Sequence, residues 1–349
     1  MYYASPSPHG GDLSCPFDFS ANVNPLGPSP AALSAARAAL AEADRYPDPH
    51  CAALVRAIAG AEGVPEDFVL CGAGASELLY HYFAALGPVT GLSPAPCFGE
   101  YAAALALAGG RMEYHVLRWD NGFLLTEDFP RRVRQTRPGA VVLCDPNNPT
   151  GRRVDPELLR ETLAACETVG ARLLVDECFL PLSGDGAGAV PWLAAHPALA
   201  VLRAFTKTHG LAGLRLGYLL SADSDLLRRM SALAPPWNVS GVAQAAGVAA
   251  LEDRDYLARS RAFIRAERTL LREGLEALGL RVCPSEANFL LISGPAGLVP
   301  KLKRHGVALR DCAAFPGLGE GWYRAAVRPE PEREALIEAL EEELMVNSE

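Results

Sequence analysis

Lys207 is the residue whose type says most about chemistry. The chain carries 32 basic residues, and only Lys207, Lys301 and Lys303 are lysines. Arginine serves wherever a positive charge is enough. A guanidinium stays protonated and is a poor nucleophile, whereas an amine can lose its proton and attack a carbonyl. Lys301 and Lys303 lie on an amphipathic pattern beside Arg304 and read as solvated. Lys207 lies in the apolar, glycine-containing stretch Ala204-Phe205-Thr206-Lys207-Thr208-His209-Gly210-Leu211-Ala212-Gly213. The bland alternative there is a surface lysine in a loop.

Three other groups of residues could work with such an amine. Gly72-Ala73-Gly74-Ala75-Ser76-Glu77 joins a strand to a helix, so free backbone N–H groups at the helix start could receive an anion. Its spacing fits neither the dinucleotide nor the Walker A pattern. Asp176-Glu177 follows a buried strand, where a carboxylate needs a partner. It is either a cap or an acid that pairs with a protonated ring nitrogen. Arg203 and Arg215 flank Lys207 in sequence, and a guanidinium fork before a strand can hold phosphate; singly, each is as well explained as a surface charge. The nine cysteines form no C-x-x-C pair and the seven histidines no H-x-x-x-H spacing, so reduced thiols and no metal site are expected.

These groups must be held by something, and the pattern says what. Val69-Leu70-Cys71, Val141-Val142-Leu143-Cys144, Arg172-Leu173-Leu174-Val175, Ala200-Val201-Leu202-Arg203 and Leu216-Gly217-Tyr218-Leu219-Leu220 are short apolar runs. Helical patterns over 76–86 and 156–169 alternate with them. Strands buried on both faces and separated by helices predict an α/β fold with a mostly parallel sheet, whose ligands bind at the carboxyl ends of the strands. After Ala234-Pro235-Pro236-Trp237 the pattern changes to a long helix over 254–278, shorter strands at 289–292, 307–309 and 325–327, and a final helix over 331–344. The expected organisation is an N-terminal segment (1–45) that belongs with a small domain, a large domain (46–235), and a linking helix with a small α+β domain (236–349). With 349 residues, half of them hydrophobic, 21% charged and a net charge of −9, the chain is globular. It has no basic tract for nucleic acid, no apolar run of about 20 residues for a membrane, and no secretory leader at Met1–Gly10, so a cytoplasmic location is expected.

Taken together, G-x-G-x-S, Asp145-Pro146-Asn147-Asn148-Pro149-Thr150-Gly151, Asp176-Glu177-Cys178-Phe179 and the stretch from Thr206-Lys207 to Gly213-Leu214-Arg215-Leu216-Gly217-Tyr218 resemble the fold-type I pyridoxal-phosphate (PLP) enzymes. Within these the resemblance is to the branch of histidinol-phosphate aminotransferase and threonine-phosphate decarboxylase, and it covers nearly the whole chain. The resemblance implies roles. Lys207 would bind the aldehyde of PLP covalently, and Asp176 would hold the ring nitrogen protonated. Asn148 would bond the ring oxygen and Phe98 would stack on the ring. Ala75, Ser76, Thr206 and Arg215 would hold the cofactor phosphate. Tyr46 would reach the neighbouring subunit's cofactor in a homodimer, and Arg324 would bind the substrate carboxylate. Phe179 stands where many aminotransferases have a tyrosine.

Four segments resemble the decarboxylase: His9-Gly10-Gly11-Asp12, the run from Asp18 to Gly27, Asp176-Glu177-Cys178-Phe179, and Leu309-Arg310-Asp311-Cys312-Ala313-Ala314-Phe315-Pro316-Gly317-Leu318. The implied reaction releases CO₂ from O-phospho-L-threonine and leaves (R)-1-amino-2-propanol O-phosphate, a cobalamin precursor. His9, Arg310 and Asn24 are expected around the substrate phosphate. The alternatives are histidinol-phosphate transamination with 2-oxoglutarate, decarboxylation of O-phosphoserine, and a non-catalytic binding module of the same fold.

Overall fold

The computed structural model describes residues 10–12, 14–184 and 188–345. Seven strands form the main sheet, in the spatial order Val69–Gly72, Gly217–Ser221, Leu199–Ala204, Arg172–Asp176, Ala140–Cys144, Thr90–Ala95 and Arg111–Val116. All neighbours run parallel except Gly217–Ser221, which is antiparallel to both strands beside it. Ala140–Cys144 is buried throughout, and its side chains alternate between two apolar clusters. Val141 and Leu143 enter one; Ala140, Val142 and Cys144 enter the other. The sheet is therefore covered on both faces, as the unbroken apolar runs require.

Local signals set the helix ends. Asp155 accepts from the backbone N–H groups of Glu157 and Leu158, Pro156 opens the helix Pro156–Val169, and Gly170 ends it in the left-handed region at φ +75°. The helix Ala75–Leu86 starts directly after the glycine turn.

The C-terminal part builds an antiparallel sheet in the order Arg310–Asp311, Trp322–Ala326, Phe289–Ser293, Arg281–Val282. It packs through Leu290, Ile292, Tyr323 and Ala325 against Leu271, Leu275, Leu336 and Leu340 of the helices Arg254–Ala277 and Glu330–Met345. The strand expected at 307–309 is two. Val307–Ala308 pairs in parallel with Phe17–Asp18, and past Leu309 the chain changes partner to Trp322–Ala326. Lys301 and Lys303, read as solvated, are both paired: Lys303 lies 2.6 Å from Asp12 and Lys301 3.9 Å from Glu343. All nine cysteines are free and buried. Among the described residues, no helix is long and apolar enough to cross a membrane.

Candidate active site

The carboxyl ends of the parallel strands converge on one cavity of about 500 Å³. Each expected group arrives on the turn after its strand. Val69–Gly72 leads to Ala75 and Ser76, Thr90–Ala95 to Phe98, and Ala140–Cys144 to Asn148. Asp176 closes its own strand, and Ala204 leads into the short helical turn carrying Thr206 and Lys207. The antiparallel strand Gly217–Ser221 begins at this same edge, which brings in Arg215 just before it. Arg310 and Arg324 close the cavity from the smaller sheet.

Asp176 is held rigidly. Its Oδ2 accepts a 2.6 Å hydrogen bond from the Tyr101 hydroxyl, and its Oδ1 accepts from the backbone N–H of Cys178 at 3.0 Å. Burial and the adjacent carboxylate push the Tyr101 phenol well above its ordinary pKa, so it remains a donor. Glu177 points elsewhere. It is fully buried, accepts from Arg203 at 2.6 Å and from the backbone of Ala189 at 2.6 Å, and lies outside the cavity wall. Arg203 also meets Glu62 at 3.3 Å, so it is a structural cation and not a phosphate ligand. Replacing Tyr101 by phenylalanine leaves Asp176 with one fewer donor. The expected result is a fall in kcat of about ten- to a hundredfold with little change in KM, since a hydrogen bond to a charged group is worth about 1.5–3 kcal/mol. Steady-state kinetics check this, and an equal change in both constants would contradict it.

Asn148 Oδ1 accepts from the Arg324 guanidinium, which leaves the Asn148 amide N–H groups to donate into the cavity. Arg324 also donates to the Ser20 carbonyl at 2.9 Å. The loop before Asn148 is braced. Asp145 accepts from Arg153 at 2.7 Å, and Asn147 donates to the Pro96 carbonyl at 3.1 Å. Gly151 has φ +73°, and an added Cβ would lie 1.9 Å from Ser285 Oγ, so glycine is required there.

Lys207 is half-buried beside cations. Burial first and then the Arg324 charge pull its ammonium pKa down to about 8, while the nearby Cys178 and Asp176 pull the other way. Removing a positive neighbour favours the ammonium form, so Arg324→Met should raise that value. With only three lysines in the chain, peptide mapping after amine modification of cofactor-free protein can follow Lys207 alone. Its reactivity should rise with pH through about 8 in the wild type and at higher pH in Arg324→Met. The same midpoint in both proteins would refute the coupling.

Four cations (Lys207, Arg215, Arg310 and Arg324) line the cavity with two acids (Asp176 and Glu100), an excess that suits an anionic ligand. The turn at Gly74 has φ +95°, and an added Cβ would lie 2.7 Å from Arg215 Nη2. The guanidinium therefore sits directly over the turn that precedes the free N–H groups of Ala75 and Ser76. Such a hollow, which a side chain would fill, could hold a phosphate. Phe98 offers a ring face, and Asp176 an acceptor deep in the wall. Together these residues fit pyridoxal phosphate.

The other sequence candidates are placed differently. Asn24 does not line the cavity. Its Nδ2 donates to the Thr208 carbonyl at 2.9 Å and Ser260 Oγ at 2.8 Å, and its Oδ1 accepts from Leu26 N–H, so its amide ties the N-terminal segment to the Lys207 turn. Asn22, which sequence reasoning passed over, is the asparagine in the wall, with its buried Oδ1 unpartnered. Tyr46 is exposed and stacks on Trp237 with centroids 4.4 Å apart, away from this chain's own cavity. His9 lies outside the described residues. Phe179 lines the cavity and meets Phe289 edge-on at 5.0 Å.

The chain belongs to the aminotransferase class I and II family, whose sequence profile matches residues 16–341. The threonine-phosphate decarboxylase of Salmonella typhimurium is 34% identical over 93% of this chain and 90% of its own length. The histidinol-phosphate aminotransferase of an Anaeromyxobacter species is 37% identical, over 85% of this chain and 82% of its own. Among solved structures, the histidinol-phosphate aminotransferase of Clostridium acetobutylicum superposes with a TM-score of 0.87 at 25% identity, covering 94% and 99% of the two chains.

Proposed function

We propose that this chain is a PLP-dependent decarboxylase that converts O-phospho-L-threonine to (R)-1-amino-2-propanol O-phosphate and CO₂, a step of cobalamin biosynthesis. The observation that carries the reading is a pairing in the smaller sheet. Arg310 and Arg324 sit directly opposite each other in the antiparallel register, and both line the cavity beside Lys207. Like charges facing across strands destabilise a sheet, and a ligand with two anionic groups reverses that. An amino acid bearing a phosphate is such a ligand. The decarboxylase of Salmonella typhimurium, similar over nearly its full length, supports the same choice.

When bound, pyridoxal phosphate supplies an aldehyde for an amine and a protonated ring that can take up an electron pair from the substrate's α carbon. The chain's residues would do the rest. Ala75, Ser76, Thr206 and Arg215 anchor the cofactor phosphate. Asp176, fixed by Tyr101 and the Cys178 N–H, keeps a proton on the ring nitrogen. Asn148 donates to the ring oxygen, and Phe98 covers one face. Lys207 attaches the cofactor and afterwards holds or returns a proton. Arg324 grips the substrate carboxylate, and Arg310, with Asn22 of the same cavity wall and His9 from the terminus, grips the phosphate. Phe179 leaves the ring oxygen without a phenol donor, a departure from the aminotransferase pattern. Tyr46 would serve the cofactor of a second copy, making the working unit a homodimer, and the expected location is the cytoplasm.

The histidinol-phosphate aminotransferase relatives, one of them at 37% identity, keep a second reading in view. Incubation with O-phospho-L-threonine, followed by CO₂ release and product identification, separates the two. Amino transfer from histidinol phosphate to 2-oxoglutarate without CO₂ would replace the proposal. Faster CO₂ release from O-phosphoserine would move the substrate, since one methyl group is worth only about 1–3 kcal/mol of discrimination.

A further inference from the structure

We propose that Lys303, outside the cavity, is a positioning residue for the substrate: its ion pair with Asp12 pins the segment Gly10–Asp12 across the cavity wall. The inference rests on the function proposed above for the identity of the ligand, but its structural part stands independently.

Gly10 is part of the cavity wall. It can approach only as glycine, because an added Cβ would lie 2.1 Å from the Ser20 carbonyl oxygen. The next residue donates its N–H to Ser20 Oγ at 2.8 Å, and the Ser20 carbonyl accepts from Arg324 at 2.9 Å. The segment therefore touches the carboxylate-binding arginine through one shared serine. Its outer end is held electrostatically. Lys303 Nζ lies 2.6 Å from Asp12 Oδ2, while Asp12 Oδ1 is occupied by the Ser14 N–H at 3.0 Å and the Ser14 hydroxyl at 2.6 Å. A carboxylate fixed on one oxygen presents the other in a set direction, so this pair has lost less side-chain freedom than an ordinary surface bridge.

The location of Lys303 matters as much as its charge. It is the last residue of the helix Leu298–Lys303. The chain then enters Val307–Ala308, which pairs with Phe17–Asp18, and two residues later reaches Arg310. The element that pins the N-terminal segment thus also carries the second cavity arginine. One ion pair sets the N-terminal wall and the Arg310 wall at a fixed separation, which is the space assigned above to the substrate phosphate. In a chain that otherwise uses arginine, a compact ammonium at this position suits a single carboxylate oxygen better than a planar fork.

The test uses Lys303→Glu, Asp12→Lys and the double exchange in the full-length protein loaded with PLP. Lys303→Glu and Asp12→Lys should each raise KM for O-phospho-L-threonine about three- to tenfold, leave kcat within about twofold, and speed amide exchange at Gly11 in ligand-free protein. The double exchange restores the opposite charges and should return both measurements to within about twofold of wild type. The wild-type KM should rise with salt, and that of Lys303→Glu should rise less. Unchanged exchange and KM in the single variants overturn the proposal, as does failure of the exchange to restore either one. If the wild type does not act on O-phospho-L-threonine, the function proposal fails, while Gly11 exchange in the same proteins still decides whether the ion pair holds the segment.

Discussion

The Lys207→Arg variant is expected to turn over O-phospho-L-threonine at least about a thousandfold more slowly than the wild type. The charge is preserved and the stem is of similar reach, so the fold and the electrostatic field of the cavity should change little. What is lost is a group that can shed its proton near neutrality. The environment of Lys207 is built for that loss, because burial and the Arg324 charge bring its pKa to about 8, whereas arginine keeps its proton at any working pH. The variant should still bind PLP through the cradle at Arg215 and the start of the Ala75–Leu86 helix, but reversibly. Dialysis should strip the cofactor, and borohydride should leave no mass increment on the chain. Retained activity, or a borohydride-trapped adduct on another residue, would remove Lys207 from the centre of the chemistry.

Much of this site was legible before the fold was known, for a physical reason. In a parallel sheet the turns after the strands meet at one edge, so chemistry-bearing residues that each follow an apolar run are brought together by topology alone. Asn148, Asp176 and Lys207 are such cases. What spacing could not resolve was the side-chain choice within a short segment. Asn22 and Asn24 lie two residues apart, and only the contacts of Asn24 with Thr208 and Ser260, far away in sequence, show that it serves the scaffold while Asn22 faces the cavity. Asp176 and Glu177 divide in the same way, because successive residues at a strand end face opposite sides. Tyr101 left no signal, since its phenol meets Asp176 across 75 positions. Two strands of the main sheet went unrecognised. Thr90–Ala95 contains Gly91 and Pro94, and Arg111–Val116 is an edge strand with charged and half-exposed residues.

The second large effect concerns Arg310, where stability and binding should move in opposite directions. Arg310→Met removes a guanidinium that lies over the Phe315 ring at 5.4 Å and faces Arg324 across the strand pair. Methionine can retain most of the apolar contact. The Arg324 guanidinium is held down to about 10, chiefly by burial, with the Arg310 charge adding to that, so taking away Arg310 relieves a repulsion. Thermal stability in phosphate-free buffer should therefore stay level or rise, by up to about 1 kcal/mol for a like-charged cross-strand pair. Binding should suffer, because a dianionic phosphate loses a charge-assisted fork worth about 2–4 kcal/mol, a factor of ~30 to ~1000 in KM for O-phospho-L-threonine. The turnover number should fall far less, since Arg310 is assigned to the phosphate end and the bond that breaks lies at the carboxylate end. Arg324→Met should behave differently. It would lower kcat and raise KM together, because that side chain is assigned to the carboxylate and also orients Asn148. A purely structural arginine at position 310 would lower stability and leave KM unchanged. Calorimetry and steady-state kinetics on the same two variants distinguish these outcomes, and an unchanged KM in Arg310→Met would take the phosphate away from this residue.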